Sequence, residues 1–157
     1  MVKTLEPRRL ESGQTILKEE ESAEEIIFLM VGKVNVGYNQ KHFLDENKVN
    51  MTSRLQVMGQ KNAKFNYPIN VKPGVPIGIF EIIFGQTSHF IYKTGDYSEV
   101  HDKQMYSSDI PRTDCFFIRR KAWAEMIEET DGIPKSLKKN ILRIYMEKVY
   151  LPIQRYQ

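Results

Sequence analysis

Glu25-Ile26-Ile27-Phe28-Leu29-Met30-Val31-Gly32-Lys33-Val34-Asn35-Val36-Gly37-Tyr38 decides the fold class. The run from Ile26 to Val31 reads as a nearly continuous apolar strand. Gly32-Lys33 breaks it, and Val34 to Tyr38 then alternates apolar with polar or small residues, as the second arm of a hairpin would. Upstream, Ser12-Gly13 is a turn and Gln14-Thr15-Ile16-Leu17 a short β-prone run. Glu19-Glu20-Glu21-Ser22 is an acidic loop that belongs on the surface. Short strands divided by turn signals predict antiparallel β-structure from Arg8 to Tyr38.

Further along, Asn39 to Asn66 has only scattered apolar residues, which predicts edge strands and a long loop. Pro68, Pro73, Gly74, Pro76 and Gly78 punctuate the next stretch. Ile79-Phe80-Glu81-Ile82-Ile83-Phe84, closed by Gly85, is long enough for one or two helical turns. His89 to Thr94 and Cys115 to Arg119 return to strand chemistry, around a polar insertion over 95–112. The period then changes. Ala122, Trp123, Met126 and Ile127 fall at helical spacing, and Asp131-Gly132-Ile133-Pro134 ends that helix. Ser136 is the expected N-cap of a second helix, whose stripe of Leu137, Ile141, Leu142, Tyr145 and Val149 should stop at Pro152. The expected fold is mainly β with C-terminal helices (α+β). An antiparallel jelly-roll or β-roll over about residues 8–119 is followed by two helices over about 120–151, in one domain across residues 1–157.

Composition bounds the function. With 157 residues, 41% hydrophobic and 27% charged, the chain supports one core. A net charge of +3 is far from the concentrated basic surface of a dedicated nucleic-acid binder, so no nucleic-acid partner is expected. A lone cysteine, Cys115, excludes a disulfide framework and fits a reducing compartment. No apolar run approaches the roughly 18 residues of a spanning helix, so direct membrane insertion is not expected and the fragment itself should be soluble.

Little here points to catalysis. His42, His89 and His101 stand apart with no ligand-spaced carboxylate or cysteine, so no metal site is expected. Cys115 sits in an apolar strand, where a thiol packs rather than reacts. Nucleophile-elbow, zincin and Walker motifs are lacking, so the chain is not expected to be an enzyme. From residue 135 onward six Lys or Arg face a single acid, Glu147. That basic helix face has three readings: a solvated surface, an oligomer or partner contact, and a phosphate or anionic-lipid contact.

Ordered this way, the elements resemble the cyclic nucleotide-binding domain. Ser12 to Glu20 is similar to that family's Pro-Gly-Asp-x-Ile-x-x-Glu-Gly opening, and Glu25 to Val36 to its Glu-x-x-Phe-Ile-x-x-Gly-x-Val-x-Val segment. Cys115 to Trp123 looks like the last strand entering the B helix, and Leu137 to Leu151 like the C helix. The text is most similar to cytoplasmic domains of voltage-gated potassium channels of single-celled eukaryotes. That resemblance implies a regulatory domain on the cytoplasmic side of a membrane. Its partners would be the parent channel's transmembrane region and neighbouring subunits of a homotetramer. The alternative is a cAMP- or cGMP-sensing regulatory domain of a kinase or other soluble signalling protein.

Ligand binding in that family depends on a phosphate-binding cassette. A short helix offers backbone N–H groups to the cyclic phosphate, a Glu bonds the ribose, and an Arg pairs with the phosphate. Aligned without gaps on Gly-Glu-Leu-Ala-Leu-Met-Tyr-Gly-Thr-Pro-Arg-Ala-Ala-Thr, the cassette is Gly78, Ile79, Phe80, Glu81, Ile82, Ile83, Phe84, Gly85, Gln86, Thr87, Ser88, His89, Phe90 and Ile91. Both glycines match, but Ile79 replaces the Glu and Ser88 the Arg. Sliding the frame to give Glu81 the ribose role loses both glycines. Loss of a charge-assisted contact to a buried phosphate costs about 2–5 kcal/mol, roughly 30-fold or more in affinity. Gly78, Ile79, Phe80, Gly85, Gln86, Thr87, Ser88 and His89 are therefore expected to form a degenerate site. Phe90, Tyr150 and Leu151 are candidates to fill it, and no cofactor is expected, with cAMP and cGMP possible but not favoured.

Overall fold

The computed structural model describes residues 5–40, 64–95 and 112–156. Within them the elements run β1 (Glu6–Leu10), β2 (Thr15–Leu17), β3 (Glu25–Val31), β4 (Val34–Asn39), β5 (Phe65–Val71), α1 (Ile79–Phe84), β6 (Ile91–Thr94), β7 (Thr113–Arg119), α2 (Arg120–Glu129) and α3 (Lys135–Tyr145). A π-helical segment, Met146–Tyr150, leads on to α4 (Leu151–Gln154). All strand pairings are antiparallel, in a three-stranded sheet ordered β1-β7-β3 and a four-stranded sheet ordered β2-β6-β4-β5. This is the expected β-roll with C-terminal helices. His42, His101 and most of the 39–66 and 95–112 loops fall at residues 41–63 and 96–111, outside the described residues.

Three local expectations are corrected. β3 and β4 do not form a hairpin: β3 pairs with β7, and β4 with β5 and β6, so the chain changes sheet at Gly32-Lys33. Gly32 turns there at φ 94°, where a Cβ would collide with the Arg112 carbonyl and Thr113. Pro68 does not interrupt the chain but lies within β5, an edge strand where its missing N–H is tolerated. A register shift between Val36 and Tyr38 places a bulge opposite it, and Gly37 leaves room for the Asn66 carbonyl. The second helix starts at Lys135 after Pro134 with no side-chain cap, so Ser136 is not its N-cap.

The C-terminal helices share the core of the roll. Ile26, Val34, Val36 and Ile153 are fully buried, joining β3 and β4 to the last described helix. Ile77 anchors the segment before α1 by exchanging two 2.9 Å backbone hydrogen bonds with Ile27. At Gly78 (φ 88°) any Cβ would strike the Glu25 carbonyl, so only glycine lets α1 approach β3 this closely. Packing against the roll thus explains this glycine without a ligand.

Candidate functional site

α1 is bracketed by Gly78 and Gly85, both left-handed, and its first residues Ile79, Phe80 and Glu81 all point into the fold, each under 10% exposed. Beyond it, Gln86 and Thr87 are exposed, with Thr87 bridged to Ser22. Ser88, at the position expected for the phosphate-binding arginine, is 1% exposed and already satisfied: its hydroxyl donates to the Phe90 carbonyl at 2.7 Å. Its backbone is clamped by the acidic loop, with Glu20 N–H donating to its carbonyl and its own N–H donating to the Glu21 carbonyl. An arginine has no room here. His89 is exposed and its ring Nδ1 lies 3.2 Å from the Tyr145 hydroxyl. Phe90 is buried.

The opposite wall comes from α3 and the π-helical segment that continues it. Tyr145 lies parallel on Phe80, ring centroids 3.8 Å apart at an interplanar angle of 0°. Ile141, Ile144, Tyr145 and Val149 face Val71, Ile77, Phe80, Glu81 and Tyr92, and the space left between them is about 10 Å³. That holds about one water, whereas small-molecule pockets run to about 300–1,000 Å³. In this conformation the C-terminal helix packs directly on α1.

One group there is poorly matched to its surroundings. The Glu81 side chain is 3% exposed and its Oε1 has no hydrogen-bond partner. Burial raises its carboxyl above the ordinary range, only partly offset by a hydrogen bond from its own backbone N–H. Burial, with Glu81 nearby, also raises the Tyr92 and Tyr145 phenols, which stay neutral at physiological pH. Sequence reasoning set Glu81 aside because its register broke the glycine match. The available signal was simpler: it is the one acid in the apolar run from Ile79 to Phe84.

Of the tail candidates, Tyr150 is half-buried, with its ring centroid 6.2 Å from that of Phe90 and 6.4 Å from that of His89. Leu151 is 42% exposed and fills nothing; Ile153 is the buried tail residue instead. Pro152 does not stop the helix. The Leu151 N–H donates to the Met146 carbonyl in an i→i+5 turn, and this wider turn precedes the proline that an unbroken α-helix would resist. Cys115 is buried and its thiol raised by burial, the state of an inert packing group. No cluster of metal-ligating side chains occurs among the described residues, and no helix there is long and apolar enough to cross a membrane.

No protein-family model and no curated protein matches the chain. Solved structures do. A cyclic nucleotide-binding domain from Methylobacillus flagellatus KT superposes with a TM-score of 0.54 at 12% identity, over 98% of this chain and 64% of that one. The catabolite activator protein of Thermus thermophilus gives 0.52 at 10% identity, over 93% of this chain and 50% of that one. The chain has the cyclic nucleotide-binding fold. A regulatory subunit of a cAMP-independent protein kinase A from Trypanosoma cruzi, bound to guanosine, gives 0.55 at 11% identity, over 98% of this chain and 39% of that one. The chain therefore spans between 39% and 64% of these three proteins. α1, α2 and α3 follow one another in the order that the sequence resemblance expected of the cassette, B and C helices.

Proposed function

We propose that the chain is a non-catalytic regulatory module whose C helix takes the place of cAMP or cGMP in the cassette. It couples that helix to the gating of a potassium-channel-like parent, in which four copies meet on the cytoplasmic side. The observation that carries the reading is the parallel Tyr145–Phe80 stack over a space of about 10 Å³. It is reinforced by Ser88, buried and hydrogen-bonded where a phosphate would need a cation. A cyclic nucleotide would have to displace the helix and then leave its anionic ring beside Glu81 with no facing arginine, an unpaired charge at low dielectric. Coupling follows from two states: whatever displaces or tightens α3 must favour one gating state, because a ligand with equal affinity for both shifts nothing.

A kinase regulatory context is the second reading. It is favoured by the T. cruzi neighbour, whose kinase is described as cAMP-independent, because the fold there serves regulation without that messenger. Calorimetric titration of cAMP and cGMP into the chain tests the shared core of both readings. No saturable heat at millimolar ligand is expected; micromolar binding overturns it. Sequencing the full transcript separates the contexts: membrane-spanning segments upstream of residue 1 support the channel, and a kinase-inhibitory segment supports the alternative.

A further inference from the structure

Glu81 lies under α3 with nothing beside it to answer a charge. Its side chain is 3% exposed and its Oε1 has no hydrogen-bond partner. Ile141, Ile144 and Tyr145 of α3 close over the space it faces, which is left at about 10 Å³. Among the described residues lining that space there is no Lys, Arg or His and no second carboxylate. β6 contributes the Tyr92 phenol, α3 the Tyr145 phenol, β5 Val71 and the π-helical segment Val149. β3, packed beside α1, carries Glu25, whose carboxylate is held by Arg8 at 2.8 and 2.9 Å. His89 is exposed and meets the edge of the space at the Tyr145 hydroxyl, 3.2 Å away. A bare carboxylate in this setting is disfavoured by desolvation, whereas a protonated one is tolerated. α3 is bounded by two departures from regular helix, the left-handed Asp131-Gly132 pair before it and the π-helical Met146–Tyr150 turn after it. Element-terminal residues of this kind are where a helix hinges.

We propose that Glu81 makes the closure of α3 proton-dependent: its carboxyl is protonated while α3 lies over it and gives its proton to solvent when α3 lifts, so that rising pH releases the helix. This rests on the proposed closure of α3 on the cassette and names its effector. The closed and open forms differ in proton affinity because only the closed form buries the group. Burial places the closed value above that of a solvated carboxyl. Closure is therefore strongest below the ordinary carboxylate range and is lost as pH rises through the closed-state value. The proton biases the equilibrium, and the position of α3 is the output.

The test is amide hydrogen exchange on the full chain between about pH 4.5 and about pH 8, corrected for intrinsic exchange rates. Wild type is compared with Glu81→Gln and His89→Ala. In wild type the α3 amides around Tyr145 should be less protected than those of Val34 and Val36 in β4, and their protection should fall at least about tenfold as pH rises. Glu81→Gln should hold the acid-side protection of α3 at every pH. His89→Ala should keep the wild-type pH dependence, because the imidazole is not its source. If Glu81→Gln proves unfolded by circular dichroism, Glu81→Leu takes its place with the same flat profile expected. Protection of α3 that ignores pH, or that falls equally in the Glu81 variant, overturns the inference. Loss of the dependence in His89→Ala overturns it too, by assigning the proton to His89. So does equal protection of α3 and β4 at every pH, since α3 would then open only when the whole chain unfolds. The closure itself fails separately: absence of the Phe80–Tyr145 contact from NMR spectra at acid pH overturns that reading, and this inference with it.

Discussion

Glu81 and Ser88 set the character of the cassette from opposite directions, one as a carboxyl with an unpartnered oxygen and the other as a small hydroxyl that is hydrogen-bonded. Because burial places the folded Glu81 value above its unfolded one, the protonated carboxyl is favoured by folding. Its contribution is fully present below the unfolded value and is lost as pH rises through the folded value. Glu81→Gln cannot ionise. Its melting temperature relative to wild type should therefore climb from acid to neutral pH, ending about 1–3 kcal/mol more stable; parallel curves would show that Glu81 is not held in a desolvated site. Ser88→Arg tests the other residue. A guanidinium forced into a 1% exposed position should cost about 3–5 kcal/mol in chemical denaturation without creating cAMP binding. A stable variant that binds cAMP would mean that a cation fits this position.

At the scale of the element, the C helix is held by a run at four-residue spacing, Leu137, Ile141, Tyr145, Val149 and Ile153, rather than by Leu151. In an unbroken α-helix each four-residue step drifts about 40° around the axis, which would carry Ile153 away from the face used by Leu137. The π-helical Met146–Tyr150 segment widens one turn and keeps Ile153 in the core. Ile153→Ala should cost about 2–5 kcal/mol and Leu151→Ala less than about 0.5, measured by urea unfolding. The reverse order would contradict the helix phase. The four-residue spacing was legible in the sequence, but Pro152 looked decisive because proline opposes a regular helix and the π turn that admits it leaves no local signature. Pro68 misled similarly: only the sheet order shows that its strand lies at an edge.

For the molecule as a whole, apolar periodicity revealed β2, β3, β4, β6, β7 and both main helices, because alternation and helical stripes report which faces are buried; β1 and β5 are too polar to carry such a pattern. It did not reveal which strand pairs with which. Ile26–Val31 and Val34–Tyr38 looked like hairpin arms, yet Gly32 sends them into separate sheets. The closure of α3 on α1 was out of reach for a related reason, since the Phe80–Tyr145 contact joins residues far apart in sequence. Occupation of the cassette by the chain's own C helix can be read by aromatic NMR with saturating cAMP. Cross-peaks between Phe80 and Tyr145 ring protons, ring-current shifts on both, and no change on adding cAMP are expected. A Tyr145 ring at solvent-exposed shifts, or a stack that cAMP dissolves, would contradict it.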